Sequence, residues 1–142
     1  MLRNIHLLTI NDSEARQLSG EYNLLKAGRA IQSMGPETVI IKRGDNGATM
    51  LQAGDIFSVP ALPLEEVFDP TGAGDSFAGG FMGYLSNCPR LNDGVLRRAM
   101  VYGSVLGSFA VERFGLERLR RVTRREISAR ARHFAKLTQF RL

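Results

Sequence analysis

The chain reads as an α/β fold, a three-layer arrangement with helices on both faces of a sheet. Three observations carry that expectation. Apolar residues at strand spacing and at helix spacing alternate along the chain. Thr38-Val39-Ile40-Ile41 is an unbroken β-branched run, the mark of a strand covered on both faces. Short strand signals separated by glycine turns follow it, which places antiparallel strands at one side of the sheet. The 142 residues are 44% apolar and 23% charged, values that fit a packed globular core and exclude disordered or collagen-like chains. At this length the chain is one domain or part of one.

Taken in order, Ile5 to Ile10 is expected as a short buried strand, and Asn11-Asp12-Ser13-Glu14 offers capping side chains for a helix through Ala15 to Leu18. Leu24, Leu25, Ala27, Ala30, Ile31 and Met34 recur at helical spacing, and Gly35-Pro36 stops that helix. After the strand at 38–41, Gly44-Asp45-Asn46-Gly47 is a turn tolerant of positive φ, and Ala48 to Leu51 returns antiparallel. Gly54-Asp55 turns into Ile56 to Val59. Beyond Pro60 and Pro63, Glu65 to Phe68 is expected as another short edge strand. A long apolar helix carrying Phe77, Phe81, Met82 and Leu85 comes next, then one from about Asp93 to Glu112.

The single cysteine, Cys88, forms no internal disulfide, and without a Cys/His cluster there is no structural zinc site, so a reducing, cytoplasmic setting fits best. The first residues lack the pattern of a secretory signal. The uncharged stretch Ala99 to Val111 is 13 residues, and like every other uncharged stretch in the chain it is far short of a membrane span. The formal charge is +5, but residues 112–142 carry +7 and the remainder −2. In that basic region arginines alternate with Leu116, Leu119, Val122, Ile127, Ala131, Phe134 and Leu137 in an amphipathic helical pattern. A solvated helical face is the expectation there. Nucleic-acid binding ranks last, because the residues interleaved with the arginines are mostly aliphatic rather than aromatic stacking residues.

The chemistry concentrates in DPTGAGDSFAGGF, Asp69 to Phe81. Gly72, Ala73 and Gly74 leave little side-chain bulk at a helix start, where backbone amides and the helix dipole attract anions. Asp75 in that first turn is either a plain helix cap or the base that takes a proton from a hydroxyl while the amides hold a phosphoryl group in transfer. There is neither a Walker loop nor a Gly-x-Gly-x-x-Gly fingerprint.

DPTGAGDSFAGGF resembles the second signature of the PfkB, or ribokinase-like, family of sugar and nucleoside kinases. Asn11 to Glu14 is similar to that family's Asn-x-x-Glu motif, and Lys42-Arg43-Gly44-Asp45-Asn46-Gly47 stands where its Thr-x-Gly-x-x-Gly nucleotide loop is expected. The resemblance implies a ribokinase-like, Rossmann-like α/β/α sheet. It implies that Asp75 is the catalytic base, with Gly72, Ala73 and Gly74 as the anion hole. Asn11 and Glu14 would organise Mg²⁺ and the phosphates of ATP through water, and Gly44 and Gly47 would border the nucleotide phosphates. Lys42 replaces the usual threonine, exchanging a hydroxyl for a cationic contact. Asp69, Thr71 and the turn near Gly115 correspond to a loop for a monovalent cation such as K⁺, and Ser104 to a polar contact with the base.

Each assignment has a plainer counterpart: a helix cap at Asn11–Glu14, a hairpin turn at 42–47, and close helix packing through Gly103, Ser104 and Gly107. By the same resemblance residues 1–142 form the C-terminal, nucleotide-binding and catalytic part of a longer kinase domain, without the half that supplies most of the acceptor site. The expected activity is phosphoryl transfer from ATP to a sugar hydroxyl. A nucleoside kinase and a non-catalytic nucleotide-binding fragment are the alternatives. An open sheet edge where further strands would pair is expected to favour a homodimer or aggregation.

Overall fold

The computed structural model describes residues 2–140, and the chain divides into two compact units with the boundary between Pro60 and Ala61. The first unit is a mixed four-stranded sheet with two helices. Its elements are β1 (Leu7–Asn11), α1 (Asp12–Ser19), α2 (Leu24–Ser33), β2 (Thr38–Lys42), β3 (Ala48–Gln52) and β4 (Asp55–Val59). The strands lie in the order β1-β2-β3-β4. β1 and β2 are parallel, from Leu7 opposite Thr38 to Asn11 opposite Lys42, and β2, β3 and β4 form an antiparallel meander. The parallel pair needs a crossover, which α1 and α2 supply.

Helix-facing side chains make one apolar cluster: Ile10, Ala15, Ala27, Ile31, Val39 and Leu51, joined by Ile41. α2 approaches β3 so closely that a Cβ at Gly28 would lie 2.7 Å from the Leu51 side chain. Thr38, Val39, Ile40 and Ile41 are all buried, so both faces of β2 are covered, as its β-branched run predicts.

β1 departs from expectation. It begins at Leu7 rather than Ile5, His6 is exposed, and only Ile10 is buried. Its place at the sheet edge, with a single strand neighbour, accounts for the half-burial.

The second unit contains α3 (Ala73–Leu85), α4 (Asp93–Ala110) and α5 (Arg124–Thr138). α3 and α4 pack along their length, with Phe77 and Phe81 buried from one side and Leu96, Met100 and Phe109 from the other. Tyr84 and Tyr102 stack at 4.7 Å. Small residues permit the approach: a Cβ at Gly103 would come within 2.9 Å of the Phe77 ring.

Two expectations are corrected here. Glu65 to Phe68 is not a strand; the segment is irregular, and the Phe68 amide donates to the Val111 carbonyl at 2.9 Å. The basic region is helical only from Arg124, since 111–121 runs as turns and bends. Nor is its face wholly solvated: Arg118 and Arg130 turn inward over the buried Phe109 ring, at 4.8 and 3.5 Å. No helix among the described residues is long and apolar enough to cross a membrane.

Candidate functional site

In the first unit the expected nucleotide residues gather at one end of the sheet. Asn11 and Lys42 face each other as the last residues of β1 and β2, and the carboxyl ends of parallel strands are where α/β sheets bind ligands. The Asn11 side chain accepts from the Glu14 amide at 2.7 Å, and Glu14 Oε2 accepts from the Asn11 amide at 2.9 Å. This reciprocal capping box closes the first turn of α1 and holds both side chains at the strand end.

After Lys42, Gly44 (φ 57) and Gly47 (φ 81) carry the chain through a tight turn closed by the Gly47 amide on Gly44 O, 3.1 Å, and by the Arg43 amide on Gly47 O, 2.7 Å. Both φ values lie in the left-handed region that glycine adopts without strain. The hairpin and the strand-end location coexist, so the two readings of KRGDNG do not compete.

In the second unit the decisive feature is the start of α3. Among the described residues, α1, α2, α4 and α5 are capped by the side chains of Asn11, Asn23, Asn92 and Thr123, whereas α3 has no side-chain cap. Its N-cap is Gly72, at φ 78 and ψ −1, the geometry of the third residue of a type II turn, and the Ala73 amide donates back to Pro70 O at 3.2 Å. Asp75 stands exposed at the third helical position, and the plain reading of it as a cap is not what the structure shows. A helix start without a side-chain cap presents the positive end of the dipole, beside the exposed Asp75 carboxylate of its first turn.

Asp69, Thr71 and Gly115 come together. The Asp69 carboxylate accepts from the Thr71 amide at 2.9 Å, and bonds from the Thr71 hydroxyl and amide and from the Gly115 amide hold it below the usual carboxylate range. Ser104 is buried on α4, one residue from the close Gly103–Phe77 contact. Sequence reasoning did not single out the Val111 carbonyl, which accepts from both Phe68 and Asp69 and so anchors the strand of chain leading to α3. A backbone acceptor has no residue-type signature by which to be found.

The pfkB carbohydrate kinase family model matches residues 1–120. The chain belongs to the pfkB carbohydrate kinase family. Among curated proteins it is 36% identical over 99 residues to a cytidine kinase of Thermococcus kodakarensis, covering 64% of this chain and 35% of that protein. It is 34% identical over 102 residues to an aminoimidazole riboside kinase of Salmonella typhimurium, covering 72% of this chain and 32% of that protein. The chain therefore spans about a third of these pfkB relatives. Among solved structures, aminoimidazole riboside kinase from Salmonella enterica, complexed with aminoimidazole riboside and an ATP analog, matches with a TM-score of 0.79 at 29% identity, covering 89% of this chain and 42% of that one. A ribokinase from Thermotoga maritima gives 0.78 at 27%, covering 95% and 43%. The α/β, ribokinase-like fold class of the sequence stands.

The open start of α3 suits a phosphate oxygen. Among the described residues no group of three or more His, Cys, Asp or Glu side chains could hold a metal ion.

Proposed function

We propose that this chain is the nucleotide-binding and catalytic part of an ATP-dependent kinase that phosphorylates a hydroxyl of a sugar. The observation that carries the proposal is the start of α3, a helix terminus without a side-chain cap and with the exposed Asp75 carboxylate in its first turn. Asp75 accepts the proton of the attacking hydroxyl, a general-base role worth roughly 10²- to 10⁴-fold in rate. The amides of Gly72 and Gly74 stabilise the charge that builds on the transferred group, each such donor contributing about 3 kcal/mol, while the Ala73 amide closes the turn on Pro70 O.

Asn11 and Glu14, held by their capping box, orient water toward a cation at the strand end, while Lys42, Gly44 and Gly47 border phosphate and Ser104 contacts the base. Asp69, Thr71 and Gly115 shape a loop for K⁺. ATP, when bound with Mg²⁺, supplies the phosphoryl group and the neutralising charge.

The cytidine kinase and aminoimidazole riboside kinase relatives favour a nucleoside as the second acceptor class. The other alternative is nucleotide binding without turnover. The lone Cys88 supports a cytoplasmic setting. β1, at the sheet edge, offers a surface for strand pairing with a second copy, which size-exclusion chromatography across a dilution series would reveal.

The test is ADP release by this chain over a panel of sugars and nucleosides, alongside titration with a non-hydrolysable ATP analogue. Asp75→Asn is expected to abolish transfer while leaving analogue binding intact. Persistent turnover in that variant refutes the base assignment. Analogue binding with no turnover for any acceptor selects the non-catalytic reading.

A further inference from the structure

The chain around Gly115 is closed by an ion pair. Glu112, just beyond α4, and Arg118 lie either side of Gly115, and Arg118 Nε donates to Glu112 Oε2 at 3.0 Å. The same guanidinium donates through Nη2 to Glu126 Oε1 at 2.7 Å, in the first turn of α5. Glu112 also pairs with Arg130, whose Nη1 donates to Ser108 Oγ on α4 at 3.1 Å. Both arginines lie over the Phe109 ring, which is 1% exposed. These are half-buried, charge-assisted bonds, the class that fixes geometry most firmly.

The closed segment is what the approach to α3 is built upon. Phe68 and Asp69 donate to the Val111 carbonyl at 2.9 and 3.4 Å, and the Gly115 backbone helps to hold the Asp69 carboxyl below the usual carboxylate range. Asp69 in turn holds the Thr71 amide one residue before Gly72. A path of covalent and hydrogen bonds thus runs from Arg118 through Glu112 and its neighbour Val111 to Asp69 and the helix start.

We propose that Arg118 is a positioning residue for the anion-binding start of α3: by tying Glu112 to Glu126 it fixes the turn whose backbone holds the Asp69–Gly72 loop in place. The inference rests on the functional reading of that helix start given above, but its structural half is measured independently of any nucleotide.

The experiment compares the wild-type chain with Arg118→Ala, Arg118→Lys and Arg121→Ala by amide hydrogen exchange. Arg121, whose contact with Glu117 is 3.9 Å and exposed, is the control for lost surface charge. In Arg118→Ala the Phe68, Thr71 and Gly115 amides are expected to exchange roughly ten- to a hundred-fold faster, as loss of charge-assisted bonds gives in a local opening equilibrium, while Met100 on α4 keeps its protection. Arg118→Lys should restore part of that protection and Arg121→Ala should change nothing. Unchanged exchange at Thr71 and Gly115 in Arg118→Ala overturns the proposal, as does loss of protection spread equally over α4. Should the alanine variant fail to fold, the lysine variant, which retains the charge without the two-pronged geometry, reads the same amides with a smaller acceleration expected and no acceleration refuting.

A second arm adds a non-hydrolysable ATP analogue with Mg²⁺. Shifts of the Gly72 and Gly74 amides in the wild type, weakened about ten-fold in apparent affinity by Arg118→Ala, support positioning of the site. Equal affinity of the two chains refutes it. Absence of any shift in the wild type refutes the functional reading instead, and the exchange data still decide whether Arg118 holds the loop.

Discussion

Replacing Gly80 by alanine tests whether α3 is seated on α4 by backbone contact. A Cβ at that position would lie 2.8 Å from the Tyr102 carbonyl oxygen and 2.9 and 3.0 Å from Leu106 Cβ and Cγ. Ordinary contact begins near 3.5 Å, so the overlap is about 0.7 Å. Leu106 can adjust only in part and the carbonyl moves only with α4, so the cost falls in the upper part of the 1–3 kcal/mol typical of overpacking. Alanine recovers about 1 kcal/mol of helix propensity over glycine, leaving a net loss of about 1–2 kcal/mol.

The adjacent Gly79 provides the reference. It has nothing within 4 Å of its virtual Cβ, so Gly79→Ala should stabilise by as much as about 1 kcal/mol from propensity alone. Urea unfolding followed by helical circular dichroism should therefore place the two variants on opposite sides of wild type, about 2–3 kcal/mol apart. Equal stabilisation by both substitutions would refute the close packing of the helix that carries Asp75.

The remaining predictions concern the site and its supports. Gly72→Ala meets no atom within 4 Å but must hold φ 78, so it should lose about 1–2 kcal/mol by backbone strain alone, with Gly72→Asn losing less, as thermal melts would show. Glu126 is held from 4.5 down to about 2, first by its bond from Arg118 and then by the Thr123 amide and hydroxyl. Because its folded value lies below its unfolded one, its contribution is complete above about pH 4.5 and fades as the pH falls toward 2. Glu126→Gln should accordingly flatten the acid limb of the stability profile in that window, and an unchanged limb would show the bond to be absent in solution.

Much of the candidate site was legible because its chemistry is local. Asn11 and Glu14 sit three apart, which is the spacing of a capping box, and the structure has both bonds of that box. Gly72 precedes a helix in a turn that needs positive φ, so its identity follows from backbone sterics. The β-branched run 38–41 marks a doubly covered strand whatever lies on either side.

Other features were illegible for equally physical reasons. Glu65 to Phe68 has no strand partner among the described residues, and its amide at Phe68 is satisfied instead by Val111, more than forty residues away. Arg118 and Arg130 look in periodicity like their exposed neighbours Arg120 and Arg132. What distinguishes them is the placement of Glu112 and Phe109 at the end of α4.

The order of strands and helices, the glycine turn, the base candidate in the first turn of α3 and the strand-end capping box are all written in short stretches of this chain, because propensity, capping and φ preference act over three or four residues. The convergence of Asp69, Thr71 and Gly115, the inward turn of two arginines and the absence of any side chain capping α3 belong to the folded molecule. Each depends on which distant backbone or side chain arrives beside the residue, and that is settled by packing of α3, α4 and α5 rather than by the residue's own neighbours.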